Sequence, residues 1–394
     1  MPPTSISLSQ PRVALWKAVR RLLVIRLDNL GDVLMTTPAL QALRLACPQA
    51  RITLLASPSG AALQPHLPMI DEVIAYAAPW VKGPPQRPAS KPGDFDIGRR
   101  ISAGRYDAAV IFTTATQSPL PAALLCWQAG IGLRLAHCRE NPYELLSDWV
   151  SDSEVIQTGM RHEVRRQLDL VASVGFEAPD LPLVFETRLA DQASVRQRLQ
   201  RAGGRPDQPY VLVHPGATAP SRRYPASWFG QAMAMVMQGG VQCVFTGSPA
   251  ESQLVREAHE AAGGGVALTG DMSLGELGAL IQDAEVLVCN NSGPAHIASA
   301  VGTPVVDLYA LTNPQHTPWQ VPARVLSHDV PCRHCLRSVC PEGHHACLRE
   351  VSPVTVADAV MALLGQGADV DSPAAAQRPV NAQLADISEC LPSP

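Results

Sequence analysis

Short apolar runs rich in β-branched residues alternate with helix-like patterns along most of the chain. This alternation is typical of βαβ units, and it predicts an α/β fold with two parallel sheets. The strands predicted for the first sheet are residues 22–27, 52–56, 73–76 and 108–112. The strands predicted for the second sheet are residues 210–214, 241–246, 286–289 and 305–308.

A polar segment rich in glycine and proline, residues 202–209, separates the two predicted sheets. A helix is predicted just before it, at residues 191–201, so the domain boundary is expected near residues 185–208. A proline-rich insert at residues 77–92 is predicted to be a surface loop, because proline removes ladder donors. The predicted units are an N-terminal extension (1–20), a first Rossmann-like domain (21–190), a second Rossmann-like domain (205–364) and a tail without periodicity, expected to be disordered (365–394).

Length and charge narrow the function class. A chain of 394 residues exceeds what one core usually organises, which favours two domains. The net charge of -4 comes with dispersed acidic residues and gives no positive field for wrapping nucleic acid. No window reaches the roughly 18 uncharged apolar residues that span a bilayer, and Lys17, Arg20 and Arg21 interrupt any signal-like segment, so a cytoplasmic protein is expected. Residues 1–70 carry seven Lys/Arg against two Asp, which indicates either a solvated face or affinity for an anionic membrane surface.

The segment LLVIRLDNLGDVLMTTPAL, residues 22–40, predicts a strand, a short polar loop and a helix in succession. Parallel α/β sheets bind ligands beyond the carboxyl ends of their strands, where the loop 26–31 would lie. Asp28 and Asp32, which lies at the helix entry, are therefore both candidates for chemistry. For Asp28 the alternative is that it only orders the loop through hydrogen bonds to the backbone.

The second predicted domain opens with VLVHPGA, residues 211–217, and SRRYP follows at residues 221–225 before a helix from about Ala226. A strand that ends in Pro-Gly before a basic loop brings backbone N–H groups and a cation to a phosphate. Arg222 and Arg223 are the candidate cations. The alternative is a tight turn with two exposed arginines.

Glu251 closes the sequence VFTGSPAE, residues 244–251, and lies in the first turn of the next predicted helix. An acidic residue there can accept hydrogen bonds from ribose hydroxyls. It can equally stabilise the helix N-terminus, where carboxylates are favoured. The sequence leaves both roles open.

The segment VLVCNNSGPAH, residues 286–296, combines four features of a phosphate site. A predicted strand ends at Cys289, and the polar loop 290–293 follows. Pro294 suits the first turn of a helix, and that helix presents His296. The free N–H groups of such a helix N-terminus bind phosphate, and His296 can add a donor.

Other nucleotide and metal motifs are weak. No P-loop and no well-placed G-x-G-x-x-G is present, which disfavours nucleotide hydrolysis and nicotinamide chemistry. The triplets 94–96 and 369–371 match the D-x-D of metal-dependent sugar transferases, but both fall in predicted loop or tail sequence. Diphosphate neutralisation is therefore assigned to Arg222, Arg223, His296 and helix dipoles rather than to a metal ion.

Four of the ten cysteines lie close together in a C-x2-C-x4-C-x6-C pattern at residues 332–347. Four thiols can enclose a tetrahedral structural zinc ion, with a nearby histidine as a substitute ligand. A reduced or redox-labile loop is the main alternative, and an iron–sulfur site is a further one. The loop follows the last predicted strand and is expected to border the cleft. The residues concerned are Cys332, Cys335, Cys340 and Cys347, with His334, His344 and His345 between them.

Together, these motifs resemble glycosyltransferase family 9, the ADP-heptose:lipopolysaccharide heptosyltransferases, over residues 22–364. The resemblance implies a GT-B architecture, in which two Rossmann-like parallel-sheet domains face a central cleft. It implies that residues 21–190 bind the acceptor, that residues 205–364 bind the nucleotide sugar, and that Asp32 is the general base. The donor-site residues it implies are His214, Gly216, Arg222, Glu251, Met272 in the segment 271–274 beside adenine, Asn291, Ser292, Gly293 and His296.

Two positions depart from the family pattern. Asn291 stands where many members have aspartate, and Arg222 stands where some have lysine. Each substitution keeps hydrogen-bonding capacity.

The reaction implied by the resemblance is inverting, metal-independent transfer of a heptose from ADP-heptose to a sugar hydroxyl of the lipopolysaccharide inner core. The implied partners are the nucleotide sugar and a lipid-anchored oligosaccharide, with peripheral association at the cytoplasmic face of the inner membrane. The implied donor is a substrate, and no further cofactor is required. A GT-B transferase with another nucleotide sugar or acceptor is the alternative, and a non-catalytic ligand-binding scaffold is a more distant one.

Overall fold

The computed structural model describes residues 10–81, 93–155, 159–178 and 180–366, which form two parallel sheets of six strands each. The predicted α/β class with two Rossmann-like units is confirmed. Most of the proline-rich insert, the triplet 369–371 and the predicted tail beyond residue 366 lie outside the described residues.

All eight predicted strands are present, and their ends shift by at most one residue. Four further strands, β5, β6, β9 and β12, were not predicted. Three of these are only four residues long and partly exposed, and β5 carries an arginine and a histidine, so none forms a continuous apolar run. The strands are β1 (Arg21–Arg26), β2 (Arg51–Ala56), β3 (Glu72–Ala75), β4 (Ala108–Ile111), β5 (Leu133–Cys138), β6 (Asp148–Ser151), β7 (Tyr210–His214), β8 (Gln242–Gly247), β9 (Val266–Thr269), β10 (Val286–Asn290), β11 (Val305–Leu308) and β12 (Ala323–Leu326).

Both sheets have the same doubly wound strand order. The first runs β3-β2-β1-β4-β5-β6, and the second runs β12-β11-β10-β7-β8-β9. The order reverses between β1 and β4 in the first sheet and between β7 and β10 in the second. Ligands of such sheets bind beyond the carboxyl ends of the strands at this reversal. The loops after β1, β7 and β10, which carry the predicted motifs, therefore lie where the topology places a binding crevice.

The helices follow the strands as expected, with one correction. Helix α4 contains the triplet 94–96, so the prediction that this triplet lies in a loop is wrong. Ile97 and Ile101 are spaced four residues apart and are both buried, which fixes one helical face against the sheet. The helices are α1 (Gln10–Lys17), α2 (Leu30–Ala46), α3 (Pro58–Ala61), α4 (Gly93–Gly104), α5 (Leu120–Gln128), α6 (Glu163–Ala172), α7 (Leu189–Arg201), α8 (Ala226–Gln238), α9 (Ser252–Ala262), α10 (Leu274–Gln282), α11 (Gly293–Val301), α12 (Ala346–Arg349) and α13 (Pro353–Gln366).

Helix α2 joins the two halves of the molecule. It packs against α6 on the side of the first sheet and against α11, which follows β10 of the second sheet. One buried apolar cluster accordingly contains residues of both sheets, Val24 of β1 and Leu287 of β10 among them. This shared core sets the distance across the cleft.

Residues 313–320, which follow β11, bind the first half through hydrogen bonds. The Gln315 carbonyl accepts from the Glu163 backbone N–H at 3.0 Å, at the start of α6. The Trp319 indole N–H donates to the Leu181 carbonyl at 3.0 Å. The second half of the chain therefore holds the N-terminus of a helix that belongs to the first half.

Four of the seven basic residues in the first 70 positions form salt bridges within the part of the chain that the structure describes. Arg12, Arg26, Arg44 and Arg51 each form a salt bridge with an acidic side chain. Arg26 is fully buried and so belongs to no surface patch, and the charges of the partly exposed Arg12, Arg44 and Arg51 are paired rather than free. Among the described residues, no helix combines the length and the apolar character that crossing a membrane requires.

Candidate functional site: the cleft between the two sheets

Asp32 is the third residue of helix α2, which begins just beyond the carboxyl end of β1. Its Oδ2 accepts the Asn29 backbone N–H at 3.1 Å and so completes a capping box. The positive end of the helix dipole favours a carboxylate at this position. The Asp32 side chain keeps 14% of its surface exposed, so the carboxylate is held in place and still accessible.

The guanidinium of Arg26, the last residue of β1, lies among three carboxylates. Nε lies 3.0 Å from Asp28 Oδ2, Nη2 lies 3.3 Å from Asp32 Oδ1, and Nη1 lies 2.9 Å from Glu163 Oε1. The Arg26 side chain is fully buried, and a buried charge is tolerated only when it is paired in this way. Asp28 also accepts a hydrogen bond from the Gln117 side-chain amide.

The three carboxylates differ in proton affinity. Burial raises the pKa of Asp28 to about 6, although the Arg26 charge opposes the shift. Burial likewise raises the pKa of Asp32 above its ordinary value against the attraction of Arg26. Burial also disfavours ionised Glu163, but the charges of Arg26 and Arg166 outweigh it and lower the pKa of Glu163 to about 2. Protons that enter this group therefore go to Asp28 and Asp32.

The N-terminus of α11 lies directly against the N-terminus of α2. A Cβ atom added at Gly31 would lie 2.7 Å from His296 Cδ2, and one added at Gly293 would lie 3.5 Å from Leu30 Cδ2. Ser292 is the N-cap of α11, and its side chain makes no capping hydrogen bond. The predicted helix that opens with Pro294 and presents His296 is confirmed, and it faces the loop that carries Asp32.

His296 is a neutral group in this setting. Burial lowers the pKa of its imidazole to about 3, and the nearby His316, His162 and Arg222 act in the same direction. Its Nδ1 is buried without a hydrogen-bond partner among the described residues. A neutral imidazole can donate one hydrogen bond to an anionic ligand without carrying a full charge.

The two arginines of the SRRYP segment have different surroundings. Arg222 ends a short 3-10 turn and lies close enough to Asp32 and Asp307 to favour the ionised form of each carboxylate. Arg223 instead donates from Nε to the Ala217 carbonyl at 2.7 Å. Arg222 therefore acts on Asp32 and Asp307, whereas the charge of Arg223 acts on Glu251 and helps to lower the pKa of that carboxyl, which burial alone would raise.

Glu251 lies beside the HPGA loop. Its Oε2 accepts the Ser248 N–H at 3.0 Å and the Ser248 hydroxyl at 2.7 Å, so the predicted capping role is present. The same oxygen lies 3.7 Å from His214 Nε2. A Cβ atom at Gly216 would lie only 2.0 Å from Glu251 Oε1, so a larger residue there would displace the Glu251 carboxylate. The carboxylate is 18% exposed and remains open to a second partner.

A pocket of about 540 Å³ opens on the side of the second sheet, beside His214 and the loops after β8 and β9. Its volume falls in the range of small-molecule sites. Met272 lines it together with His214 and with residues of the loops after β8 and β9. The lining residues are His214, Thr246, Gly247, Ser248, Pro249, Gly270, Asp271, Met272, Ser273, Leu274 and Leu277.

Asn290 ties three of the predicted motifs together. Its side-chain amide donates to the Pro215 carbonyl at 2.9 Å and accepts from the Tyr224 backbone N–H at 2.9 Å. The loops after β7 and β10 and the SRRYP segment thus share one buried side chain. The next residue, Asn291, has a buried Oδ1 without a partner among the described residues.

Sequence reasoning missed several residues that the fold brings to this cleft. An arginine within an otherwise apolar strand pattern, Arg26, was a signal that a buried acid must pair with it. Its partner Glu163 lies 137 residues further along the chain, and no local pattern links them. The other residues of this kind are Gln117, Asp307 and His316, whereas Asn290, predicted in the polar loop 290–293, instead ends β10.

The cysteine-rich loop lies beside Ser221 of the turn that carries Arg222. Four thiols, those of Cys332, Cys335, Cys340 and Cys347, line a cavity of about 20 Å³ and are free. Among the residues that the structure describes, no group of three or more His, Cys, Asp and Glu side chains is arranged to hold a metal ion, so structural zinc is unsupported.

The same loop braces the turn that carries Arg222. The Ser221 N–H donates to the Ser338 carbonyl at 3.0 Å, and the Ser221 hydroxyl donates to the Arg337 carbonyl at 2.7 Å. Residues 332–347 therefore hold in place the turn that carries Arg222, a candidate for binding phosphate.

Comparison with curated proteins gives relatives over most of the chain. Lipopolysaccharide heptosyltransferase 2 of Escherichia coli (strain K12) is 27% identical over 364 residues, which cover 88% of this chain and 99% of that protein. Lipopolysaccharide heptosyltransferase 1 of Pseudomonas aeruginosa is 28% identical over 329 residues, which cover 81% of this chain and 87% of that protein.

Solved structures share the fold. A glycosyl transferase family 9 structure from Veillonella parvula superposes with a TM-score of 0.73 at 24% identity and covers 88% of this chain and 98% of that chain. The structure of E. coli ADP-heptose lps heptosyltransferase II superposes with a TM-score of 0.67 at 23% identity and covers 88% and 99%.

The two parallel six-stranded sheets have the GT-B architecture of these structural neighbours. The sequence profile of glycosyltransferase family 9 (heptosyltransferase) matches residues 95–346, and the chain belongs to this family. The alternative of a non-catalytic scaffold is set aside, because the family and the relatives support enzymatic transfer.

Proposed function

We propose that the protein transfers a heptose from ADP-heptose to a sugar hydroxyl of the lipopolysaccharide inner core, with inversion and without a metal ion. The observation that carries the proposal is the approach of two helix N-termini across the cleft. One presents Asp32, and the other presents the Ser292-Gly293 turn and His296 within contact distance of Gly31. A proton acceptor and a phosphate site thus face each other.

The proposed reaction is a single displacement at the anomeric carbon. The acceptor hydroxyl forms the new C–O bond while Asp32 takes its proton, and the bond from the anomeric carbon to the ADP β-phosphate oxygen breaks. Attack opposite to the leaving group inverts the anomeric configuration. The raised pKa of Asp32 suits this role, because a stronger base accepts the proton more readily. Asp28 is the second candidate for the base.

The departing ADP gains negative charge, which the protein must stabilise. Arg222 supplies a full positive charge, and His296 supplies a neutral hydrogen-bond donor. The N-terminus of α11 adds the positive end of its dipole and backbone N–H groups. Together with Ser292 and Gly293, these groups form a diphosphate site, in which Asn291 provides an amide where an acid is common in the family.

The nucleoside of the donor is proposed to occupy the pocket of about 540 Å³ beside His214. Met272 would contact the base, Glu251 would accept from the ribose hydroxyls beside His214, and Gly216 would let the backbone approach. Two E. coli heptosyltransferase WaaC structures with this fold hold ADP and ADP-2-deoxy-2-fluoro heptose, at TM-scores of 0.59 and 0.60. These titles and the names of the curated relatives support ADP-heptose as the donor.

The acceptor is proposed to enter from the first sheet, beside Asp32 and Gln117. Because such an acceptor is lipid-anchored, the enzyme would work at the cytoplasmic face of the inner membrane and associate with it peripherally. The names of the relatives support a lipopolysaccharide acceptor.

The test starts with calorimetry of ADP, UDP, GDP and CDP against the wild-type protein, Asp32→Asn and His296→Ala. Selective ADP binding that survives Asp32→Asn and weakens about tenfold or more in His296→Ala supports the proposal. Transfer from ADP-heptose to heptose-deficient lipopolysaccharide is then followed by mass spectrometry, with Asp169→Asn as the control. Preference for another nucleotide would refute the donor assignment.

A transferase that uses a different ADP-sugar is the second candidate. Asn291 favours it, since an amide replaces the negative charge that many relatives place in this loop. Competition between ADP-heptose and ADP-glucose in the transfer assay separates the two.

A further inference from the structure

Glu163 is the most deeply buried of the three carboxylates around Arg26, and no step of the proposed reaction uses it. We infer that Glu163 is a positioning residue: it holds the Arg26 guanidinium between itself and the two aspartates and thereby limits the share of the positive charge that acts on Asp32. The inference rests on the proposed role of Asp32 as the base.

The geometry places Glu163 in direct competition with Asp32 for Arg26. Adjacent nitrogens of the guanidinium contact the two carboxylates, at 2.9 Å for Glu163 and 3.3 Å for Asp32. Glu163 and Arg26 are both fully buried, whereas Asp32 keeps 14% of its side chain exposed. The contact of Arg26 with Glu163 is therefore shorter and more deeply buried than its contact with Asp32, and it lies away from the cleft.

Glu163 itself is firmly fixed. Its Oε1 also accepts a hydrogen bond from the Gln167 side-chain amide at 2.6 Å. Its backbone N–H donates to the Gln315 carbonyl in the segment that binds the two halves together. The carboxylate can therefore not follow Arg26 toward Asp32, and it keeps the guanidinium at a set distance from the base.

Charged and titratable groups surround both carboxylates from several elements. Glu163 faces Arg26 of β1, Arg166 of its own helix and His316 of the segment after β11. Burial keeps His316 neutral near pH 7 by lowering its pKa to about 4. His162 precedes Glu163, and burial lowers its pKa to about 4 as well.

On the side of the first sheet, Asp32 faces Arg26, Glu163 and Asp28, and it accepts the Asn29 N–H. Across the cleft it faces Arg222. Arg26 and Arg222 favour its ionised form, and the other two carboxylates oppose it. Removal of the Glu163 charge takes away one of these two repulsions. It also leaves Arg26 with one carboxylate fewer to pair with, so its positive charge stabilises ionised Asp32 more strongly. Asp32 then holds its proton less strongly and becomes a weaker base.

The substitution Glu163→Gln tests this with little change of shape. Oε1 can still accept from Arg26 and Gln167, and the other oxygen, Oε2, makes no hydrogen bond with a described residue that the amide nitrogen would break. Asp169→Asn is the matched control. It also removes one carboxylate from α6, but on the partly exposed side, where Asp169 pairs with Arg161 and Arg165.

The experiment measures the pH profile of kcat for wild type, Glu163→Gln, Asp169→Asn and Asp32→Asn, with the nucleotide sugar that the binding panel selects. Since the base must be deprotonated, kcat falls on the acid side as Asp32 takes up a proton. We expect Glu163→Gln to move this acid limb down by about one pH unit, the size of effect of a nearby charge, and to lower the plateau about tenfold. ADP affinity and the Asp169→Asn profile stay at wild-type values.

An acid limb of Glu163→Gln at the wild-type pH would overturn the inference, even if kcat falls, because loss of packing alone does not move it. Should Glu163→Gln not fold by circular dichroism, Glu163→Asp serves instead. It keeps the charge but withdraws it from Arg26 by one methylene, and it should move the limb in the same direction by a smaller amount. If Asp32→Asn keeps wild-type turnover, the base assignment fails, whatever the Glu163 variants do.

Discussion

The His296 ring lies against Gly31 so closely that a single methyl group on Gly31 would come within 2.7 Å of its Cδ2 atom. The two residues lie on opposite sides of the cleft, one beside Asp32 and the other at the N-terminus of α11. This contact sets the separation between the proposed base and the proposed phosphate site. It also gives Gly31 a steric role that differs from the usual role of glycine in turns.

Gly31→Ala should therefore impair transfer without disturbing the helix. Alanine is a good helix former, so the backbone tolerates it, but the new methyl group must push the imidazole away. Displacements of this kind near the reacting atoms lower kcat/KM by about tenfold or more. Steady-state transfer kinetics and calorimetric ADP binding measure the effect.

Gly98→Ala in α4 is the control, because a Cβ at Gly98 meets nothing within 4 Å. It should leave kinetics unchanged and raise stability slightly, by about 1 kcal/mol or less. Wild-type kcat/KM in Gly31→Ala would mean that the His296 ring moves freely and does not set the site.

Asp32→Asn should remove most turnover and leave ADP binding nearly intact. Loss of a group that takes the proton in the rate-limiting step costs about 10²- to 10⁴-fold in kcat. The amide keeps the shape of the side chain, so far-UV circular dichroism should not change. Asp28→Asn should cost much less, because Asp28 is bound on both sides by Arg26 and Gln117. A larger loss in Asp28→Asn than in Asp32→Asn would exchange their roles.

The pH dependence follows from the same carboxylates. Burial raises the pKa of Asp32 above the ordinary value and that of Asp28 to about 6. A base with a raised pKa becomes protonated, and hence inactive, at a higher pH than an exposed aspartate. The acid limb of kcat should therefore lie above the ordinary aspartate pKa of about 3.9. A profile that stays flat down to pH 4 would contradict a base with a raised pKa.

The two arginines of the SRRYP segment offer a matched comparison. Arg222→Gln removes a charge that lies near Asp32 and Asp307, whereas Arg223→Gln removes one that is bonded to the Ala217 carbonyl and lies near Glu251. ADP affinity should fall about tenfold or more in Arg222→Gln and about threefold or less in Arg223→Gln, since a charge-assisted hydrogen bond contributes roughly 1.5–3 kcal/mol. Calorimetry at two salt concentrations checks that the difference is electrostatic. Equal losses in both variants would contradict the assignment of Arg222.

The sequence predicts the buried strands well. Because both faces of such strands are covered, they appear in the sequence as continuous apolar runs. It predicts the motif loops for a related reason, since doubly wound topology puts the loops after β1, β7 and β10 at one crevice. Short edge strands such as β6 and β12 lack this signature, because one side of each is exposed.

Relationships between distant residues are the part that sequence patterns do not contain. The pair Arg26 and Glu163 is separated by 137 residues, and the contact between Gly31 and His296 crosses from one sheet to the other. Neither has a fixed spacing that a motif could encode. Only the packing of α2 against α6 and α11 brings them together, and this packing depends on the whole core.

Asn290 and Asn291 are neighbours with opposite roles, which makes them the sharpest test of how the donor site is built. Asn290 is fully buried, and its amide is bonded to backbone groups of the loops at Pro215 and Tyr224. Its replacement by alanine leaves these buried groups without partners, and each such group costs about 1–3 kcal/mol. We expect Asn290→Ala to lower the unfolding free energy by about 2 kcal/mol or more, measured by urea denaturation.

Asn291→Ala should show the reverse pattern. The Asn291 Oδ1 has no partner among the described residues, although the side chain also hydrogen-bonds to Tyr309, so its removal should cost the apoprotein about one hydrogen bond, roughly 1 kcal/mol. If the side chain is held ready for the donor, as its place between Asn290 and the N-cap Ser292 suggests, ADP affinity should fall about three- to tenfold. Affinity loss in Asn290→Ala must be compared at a temperature where the variant is still folded. Loss of stability in Asn291→Ala with unchanged ADP binding would show that both amides serve the loop and neither serves the ligand.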